Sequence, residues 1–328
     1  MFPQKLVSVI IPSFNRDYLL SDAVRSVKRQ TYQNIQIIVA DDGSTDETRK
    51  LVESFGDVEY YYQENKGQGS ARNLGLKNAK GDYITTLDSD DAWHETFIAE
   101  SVRCLEENDL DFVFSNWIYE IDEVQFRSDW YRSGIWKKYR KNSFDKWFLL
   151  DSDEVRHLFI ETCPAPSSAL LIKRESLVSE WNEEMLIADD WCLILDMVLS
   201  TKCKAGFTLK PLWVKGIHNS NIYDGNEKIE TIKKLGLHDE NLLAVRFDSK
   251  LTDKEKNILR KRMAGHHFNL GFWSIKKWGF SKKSLNLILQ SFLMAPLGIL
   301  LLIFQRIWGK IGNIFSVNQL EAPKRAKL

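Results

Sequence analysis

The chain opens with apolar, β-branched runs that alternate with stretches in which apolar residues recur every three or four positions. Residues 6–11 form such a run, stopped by Pro12, and predict a strand. Residues 18–30 carry Leu19, Leu20, Ala23, Val24 and Val27 on one helical face. Residues 35–40 predict the second strand. A helix capped by Ser44 or Thr45 follows, with Leu51, Val52 and Phe55 inward. Strands over 58–62 and 83–87 bracket a helix over 69–78 that closes near Gly81. Continuous apolar strands separated by amphipathic helices predict an α/β fold with a mainly parallel sheet covered on both faces. Such a sheet binds ligands beyond the C-terminal ends of its strands, where the strand order reverses.

Further helix and strand patterns lie over 94–108 and 111–118. The periodicity is then lost over 119–150, a segment rich in Lys, Arg and aromatics that includes Trp130, Trp136 and Trp147. It reads as a hairpin or as a long loop lining a cleft. A strand over 167–173, a helix over 191–200 and one or two strands over 205–217 follow. After His218 the pattern turns helical, over 227–244 and 254–278. The polar stretch 221–226, with Gly225, marks a boundary between a domain over 1–220 and a helical region over 221–328. Residues 284–305 contain no charged side chain. That is the length of a membrane span of ~20 residues, but Pro296 interrupts it. Two helices are expected instead, over 284–295 and from 297 to about 311. Lys276, Lys277, Lys282, Lys283, Arg306 and Lys310, with Trp273, Trp278, Phe280 and Trp308, flank the run. Cations and amphipathic aromatics beside apolar helices suit a membrane interface. A hairpin packed on the rest of the chain or on a second subunit is the alternative, so a homo-oligomer stays open.

Hydrophobic residues make up 44% of the 328 residues, enough for a packed core. Lys and Arg together number 45 and balance 45 Asp and Glu, which argues against a nucleic-acid partner. Cys104, Cys163, Cys192 and Cys203 show no metal-finger spacing and read as reduced thiols of a cytoplasmic protein. The first residues lead straight into a strand, so no signal peptide is expected.

Candidate chemistry gathers at the predicted strand ends. Asp88 and Asp90 form a D-x-D pair with Asp91 behind, and side chains at i and i+2 of an extended chain face the same way. Two hard oxygen donors suit Mg²⁺ or Mn²⁺ carrying a diphosphate; an Asp-rich turn is the plainer reading. Asp41 can accept a hydrogen bond from a ring N–H. Gly67 and Gly69 let backbone approach a ligand, and Arg72 can meet a phosphate or stack on a base. Arg72 stands where a dinucleotide fingerprint needs glycine, which disfavours that motif.

Four segments, in order and spacing, resemble family-2 glycosyltransferases of the GT-A fold. They are Pro12-Ser13-Phe14-Asn15, Asp41-Asp42-Gly43-Ser44-Thr45-Asp46, the Gly67-to-Asn73 helix start, and Leu87-Asp88-Ser89-Asp90-Asp91. The resemblance covers about the first ninety residues. Ala188-Asp189-Asp190-Trp191 is similar to a later Glu-Asp segment of the family, with Asp189 in place of Glu. The resemblance implies a nucleotide-sugar donor, a UDP-sugar, on Pro12, Asn15, Asp41, Asp42, Arg72, Asp88 and Ser89. It implies a divalent metal, Mn²⁺ or Mg²⁺, on Asp90, Asp88 and His218. Asp190 falls where inverting members keep their general base. Ser167, Ser168, Asp189 and Trp191 fall on the acceptor side. Residues 1–118 would then be the nucleotide-sugar half of a catalytic domain and 119–220 its acceptor half. No Gln-x-x-Arg-Trp stretch of processive synthases is present. The expected reaction is inverting transfer of one sugar to a glycan or lipid-linked acceptor at the inner face of the cell membrane. A sugar nucleotidyltransferase would show G-x-G-x-R after its first strand, where this chain has Pro12-Ser13-Phe14-Asn15. A non-catalytic binding module of the same fold is the other alternative. His266-His267 reads as a solvated or interfacial face.

Overall fold

The computed structural model describes residues 4–121, 124–127, 139, 146–217 and 228–304. His218, Trp130, Trp136, Arg306, Trp308 and Lys310 lie outside the described residues. The chain divides into two compact units. One runs to Glu184 and resumes over Asp189–Ile217; the other comprises Met185–Ala188 and the chain from His218 onward.

The first unit is built on a ten-stranded mixed sheet. Its strands are β1 (Val7–Ser13), β2 (Ile35–Asp41), β3 (Glu59–Tyr62), β4 (Tyr83–Thr86), β5 (Asp91–Trp93), β6 (Phe112–Ile121), β7 (Val124–Arg127), β8 (Trp147–Leu150), β9 (Leu170–Lys173) and β10 (Ala205–Gly216). Its helices are α1 (Asp17–Lys28), α2 (Thr48–Glu53), α3 (Gln68–Asn78), α4 (Phe97–Asn108), α5 (Ser152–Glu161) and α6 (Asp189–Ser200). The strand order is β3-β2-β1-β4-β9-β6-β10-β5, with β7 on β6 and β8 on β10. The four N-terminal strands are parallel, as their apolar runs and helical crossovers predict. Beyond them the sheet becomes mixed: β9 runs antiparallel to β4 and β6, and β5 antiparallel to β10.

That switch of direction positions the site. Because Thr85 pairs with Leu171, the start of β9 lies beside the end of β4. The turn before β9, Ser167–Ala169, is therefore carried to the residues that follow β4. Lys215 likewise pairs with Asp91, so the end of β10 reaches the same edge. Several local expectations change accordingly. Residues 91–93 form a strand because β10 supplies its partner, and α4 starts at Phe97 rather than at 94. Residues 167–169 form a 3₁₀ turn rather than strand. β6 and β7 pair antiparallel, with Ile118 opposite Arg127. The core is aromatic and β-branched. Phe112 and Phe114 of β6 meet Phe159 of α5 edge-on, and Phe114 stacks on Phe207 of β10.

The second unit is helical. It contains α7 (Lys228–Thr231), a π-helical segment (Ile232–Asp239), α8 (Glu240–Phe247), α9 (Asp253–Trp278), α10 (Lys282–Met294) and α11 (Pro296–Phe304). Capping boxes start α9 at Thr252 and α10 at Ser281. The chain bends by 113° between α10 and α11, with Pro296 at the first helical position, where its missing N–H costs nothing. Ala264 and Phe268 of α9 form a small core with Ala295 and Ile299, joined by Ile288 and Phe292. Gly271 lets α9 and α10 approach closely; a Cβ there would lie 2.7 Å from Ile288 Cγ1. The opposite side of this hairpin is also apolar, yet exposed. Leu285, Leu289 and Leu293 form an i, i+4, i+8 stripe, and Leu293 and Leu297 are each 75% exposed.

The turn from α3 into β4 depends on Gly81. Its N–H donates to Ser8 Oγ at 2.8 Å. An added Cβ would meet Ser8 N at 2.6 Å and Leu6 O at 2.7 Å, both backbone atoms that cannot rotate away. Gly81→Ala is expected to cost about 1–3 kcal/mol through overpacking. Urea unfolding would show it as a lower midpoint at unchanged slope, and an unchanged midpoint would refute the close approach.

Candidate active site

Loops after β1 and β2 brace one another. Asn15 adopts a left-handed backbone (φ +52°), which Asn tolerates better than most residues. Its N–H donates to Ser44 Oγ at 2.8 Å, and its side-chain oxygen accepts from Thr45 N–H at 2.8 Å. Pro12 sits half-buried in β1 opposite Ala40. The cap of α2 is supplied by Asp46, which accepts from Thr48 N–H at 3.1 Å, rather than by Ser44 or Thr45. Asp41 is buried; it accepts from Ser44 N–H (2.8 Å) and Tyr60 O–H (2.6 Å). Burial and the Asp41 carboxylate push the Tyr60 phenol well above its ordinary value.

Asp42, expected on the donor, is also buried. It accepts from Gln63 Nε2 (2.7 Å), Lys66 N–H (2.9 Å) and Gly67 N–H (2.8 Å). Its oxygens shape the loop into α3, where Gly67 takes φ +97°. Arg72, one turn into α3, is 3% exposed. It does not face out toward a phosphate: Nη2 donates to Asp88 Oδ1 at 2.8 Å and Nη1 to Asp189 Oδ2. Gln68 Nε2 adds a 2.8 Å bond to Asp189 Oδ1. Asp189 is fully buried in that pairing and presents nothing to an acceptor.

Asp88, Asp90 and Asp91 each offer an oxygen within 4.8 Å of the others. Asp91 is held by Ser168 Oγ–H at 2.6 Å and by Gly216 N–H at 3.2 Å. Burial, then the Asp90 and Asp88 charges, raise its carboxyl well above the usual range. Ser168 Oγ also accepts from Asp88 N–H at 3.1 Å. Ser168, expected on the acceptor side, is thus a buried brace between the two ends of the acidic loop. Ser89, inside that loop, is buried as well. Gly216 stands so near that a Cβ would lie 2.2 Å from the Asp90 carbonyl oxygen. Three converging carboxylates, two of which raise the pKa of the third, are a donor set that fits a hard divalent cation, whose oxygen ligands sit roughly 3–4 Å apart. Asp91 completes the set, and the D-x-D-D run is its signal in the sequence.

Asp190 follows Asp189 in the first turn of α6 and is partly exposed. It accepts from Ser167 Oγ–H at 3.3 Å and from Trp191 N–H at 2.7 Å. Burial, then the Asp189 charge, push its carboxyl up to about 7, against the pull of Arg72. Ser167 thus touches the expected base. Trp191 does not face an acceptor: it is buried, and its indole N–H donates to Phe159 O at 2.8 Å, anchoring α6 to α5.

Residues 8–164 match the family model of glycosyl transferase family 2. Asp190 lies beyond that match. Glycosyltransferase GlyG of Streptococcus pneumoniae is 39% identical over 135 residues, 40% of this chain and 44% of that protein. The UDP-Glc:alpha-D-GlcNAc-diphosphoundecaprenol beta-1,3-glucosyltransferase WfaP of Escherichia coli is 41% identical over 123 residues, 37% of this chain and 49% of that protein. The chain thus spans about half the length of these relatives. S. aureus TarS 1-349 in complex with UDP-GlcNAc superposes with TM-score 0.64 at 17% identity, covering 89% of this chain and 82% of that one. Mannosyltransferase PcManGT from Pyrobaculum calidifontis, in complex with GDP-Man and Mn2+, gives 0.55 at 17% identity, covering 93% and 81%. Both likenesses are of fold, the GT-A arrangement of a mixed sheet flanked by helices. The matched segment, the relatives and the fold agree: residues 8–164 carry a glycosyl transferase family 2 segment.

Proposed function

We propose that this chain transfers a single sugar from a UDP-sugar to a lipid-linked or glycan acceptor, with inversion at the anomeric carbon and with a divalent cation. One observation carries the reading. Arg72 joins Asp88, of the acidic cluster, to Asp189, the neighbour of a carboxylate whose pKa stands near neutrality. Asp88, Asp90 and Asp91 would hold the cation, which when bound supplies positive charge for the leaving diphosphate. Asp190 is placed to take the proton of an acceptor hydroxyl, and a base with pKa near 7 suits that task at neutral pH. Ser167 orients the Asp190 carboxylate. Asn15, Ser44 and Asp41 hold the loops that face a nucleotide beyond β1 and β2. The UDP reading is supported by the names of the Escherichia coli relatives and by the UDP-GlcNAc complex of TarS. The lipid-linked acceptor is supported by those relatives' diphosphoundecaprenol substrate.

The exposed apolar side of α10 and α11 supports seating at a membrane surface. Among the described residues no single helix is long and apolar enough to cross a membrane, and the bent pair is the one candidate. Its leucine stripe would lie among acyl chains, with Lys276, Lys277, Lys282 and Lys283 toward anionic headgroups, each worth about 1 kcal/mol near the surface. We place the protein peripherally at the inner face of the cell membrane.

Three outcomes are expected. Asp90→Asn, or EDTA treatment of the parent, should abolish transfer while leaving thermal unfolding nearly unchanged; full turnover in EDTA would overturn the cation assignment. Turnover should rise with pH through about 7, because the base acts only when ionised. Asp190→Asn should remove that limb and lower kcat by about 10²–10⁴-fold. The same variant tests the linkage. A carboxyl whose pKa is raised on folding stabilises the fold below its unfolded value, and that contribution is lost as pH rises through the folded value. Asp190→Asn should therefore melt above the parent at pH 8, with the gap closing toward pH 4. Finally, Leu289→Glu with Leu297→Glu, both on the exposed side, should abolish co-sedimentation with anionic vesicles while soluble-donor hydrolysis persists. Parent protein that ignores such vesicles would refute the membrane seat.

A further inference from the structure

The second unit contains an anion cradle that no motif announced. Three consecutive backbone N–H groups, of Leu186, Ile187 and Ala188, converge on the Asp239 carboxylate at 3.0, 2.8 and 2.9 Å. Asp239 is fully buried. Burying a carboxylate is costly unless its lone pairs are met, and here three amides and His238 Nδ1, at 2.8 Å, meet them. Three successive amides aimed at one anion form a rigid concavity. These N–H groups precede α6, so no helical bond is available to them. Without Asp239 they would be left to solvent. The anchor itself is braced. Asp239 closes the π-helical segment, a geometry that recurs at functional positions. The next residue, Glu240, is buried and bonds Arg262 Nε and His266 Nε2, both on α9.

What the cradle holds is the approach to the base. Residues 186–188 run directly into Asp189 and Asp190, with no residue between Ala188 and the pair. We propose that Asp239 is a positioning residue for proton transfer at Asp190, holding the backbone from which the Asp189–Asp190 turn starts. The inference rests on the reading of Asp190 as the base. A base must sit within hydrogen-bonding reach of the proton it takes, and an error of about 1 Å can cost on the order of 10²-fold in rate. Its effect should fall on turnover and not on donor affinity, since Asp190 is placed on the acceptor's proton and not on the donor.

The full-length protein carrying Asp239→Asn keeps the side-chain shape but replaces one acceptor oxygen with a donor amide that opposes the backbone N–H groups. kcat should fall 10- to 100-fold, with the dissociation constant for UDP in the presence of Mn²⁺ changing by less than threefold. The acidic limb of kcat should move to lower pH, because a loosened turn admits water to Asp190 while Asp189, Arg72 and Asp88 around it are unchanged. Asp239→Glu retains the charge and displaces it by one methylene. It should give the same split to a smaller degree, and it serves where the Asn variant does not fold. A lower melting temperature with unchanged kcat and an unmoved limb in either folded variant would overturn the proposal and leave Asp239 a purely structural anchor. Asp190→Asn, measured alongside, separates the two readings. If it retains turnover and the limb, the base assignment fails and the positioning role falls with it. If it loses both while the Asp239 variants lose neither, only the positioning role is wrong.

Discussion

Arg72 is the constraint on which the site depends. Its guanidinium is buried between Asp88 and Asp189, residues contributed by the end of β4 and the start of α6. A planar fork with donors on two nitrogens can satisfy two carboxylates at once, which an ammonium on a flexible stem does less well. Removing it would leave Asp189 buried without its cation, a loss on the order of 3–5 kcal/mol for a broken buried pair. The rest of the loop architecture serves this arginine. Asp42 shapes the turn that starts α3, Gly67 supplies the positive φ, and Gly69 lets α3 pass close to the backbone of residues 182–183. Asp88 and Asp189 are thereby held together by one cation of the protein itself.

The same cluster couples its charges. Asp88 raises the pKa of Asp91 and contributes to raising that of Asp190. Any positive charge that settles on Asp88, Asp90 and Asp91 therefore removes one of the fields that keep Asp190 protonated. Loading of the acidic cluster would favour ionisation of Asp190. The raised carboxyl of Asp190 has a stability cost at neutral pH, and perturbed carboxyls of this kind gather at working sites.

What could be read from the sequence was local in origin. The four parallel strands follow from apolar runs and helical periodicity, and the acidic segment follows from spacing at a strand end. Roles that depend on pairing across the sheet were not legible. Ser168 reads as an acceptor-side serine until β9 is seen to run antiparallel beside β4, which carries its hydroxyl to Asp88 N–H and Asp91. Arg72 reads as a phosphate ligand until a carboxylate 117 residues away is found on it. Trp191 and Asp189 sit beside Asp190 in the chain but face inward, since neighbours on a helix point in different directions. Asp91 gained its place from Gly216 and Ser168, both distant in sequence.

The apolar tail shows why periodicity alone cannot distinguish packing from exposure. Residues 284–304 are apolar on nearly every side, which in a single helix suggests either a deep core or a span. The structure resolves this by dividing the faces. Ile288, Phe292 and Ile299 pack with Ala264 and Phe268 of α9, satisfying the side that a helical hairpin must bury. Leu285, Leu289 and Leu293 then point away from that core, and the bend at Pro296 brings Leu297, Leu300 and Leu301 into the exposed apolar set. A hairpin built only to cover α9 would gain nothing from leucine on its outer side, and water disfavours it there. One face of the tail is therefore a packed hairpin, and the other leaves its leucines exposed.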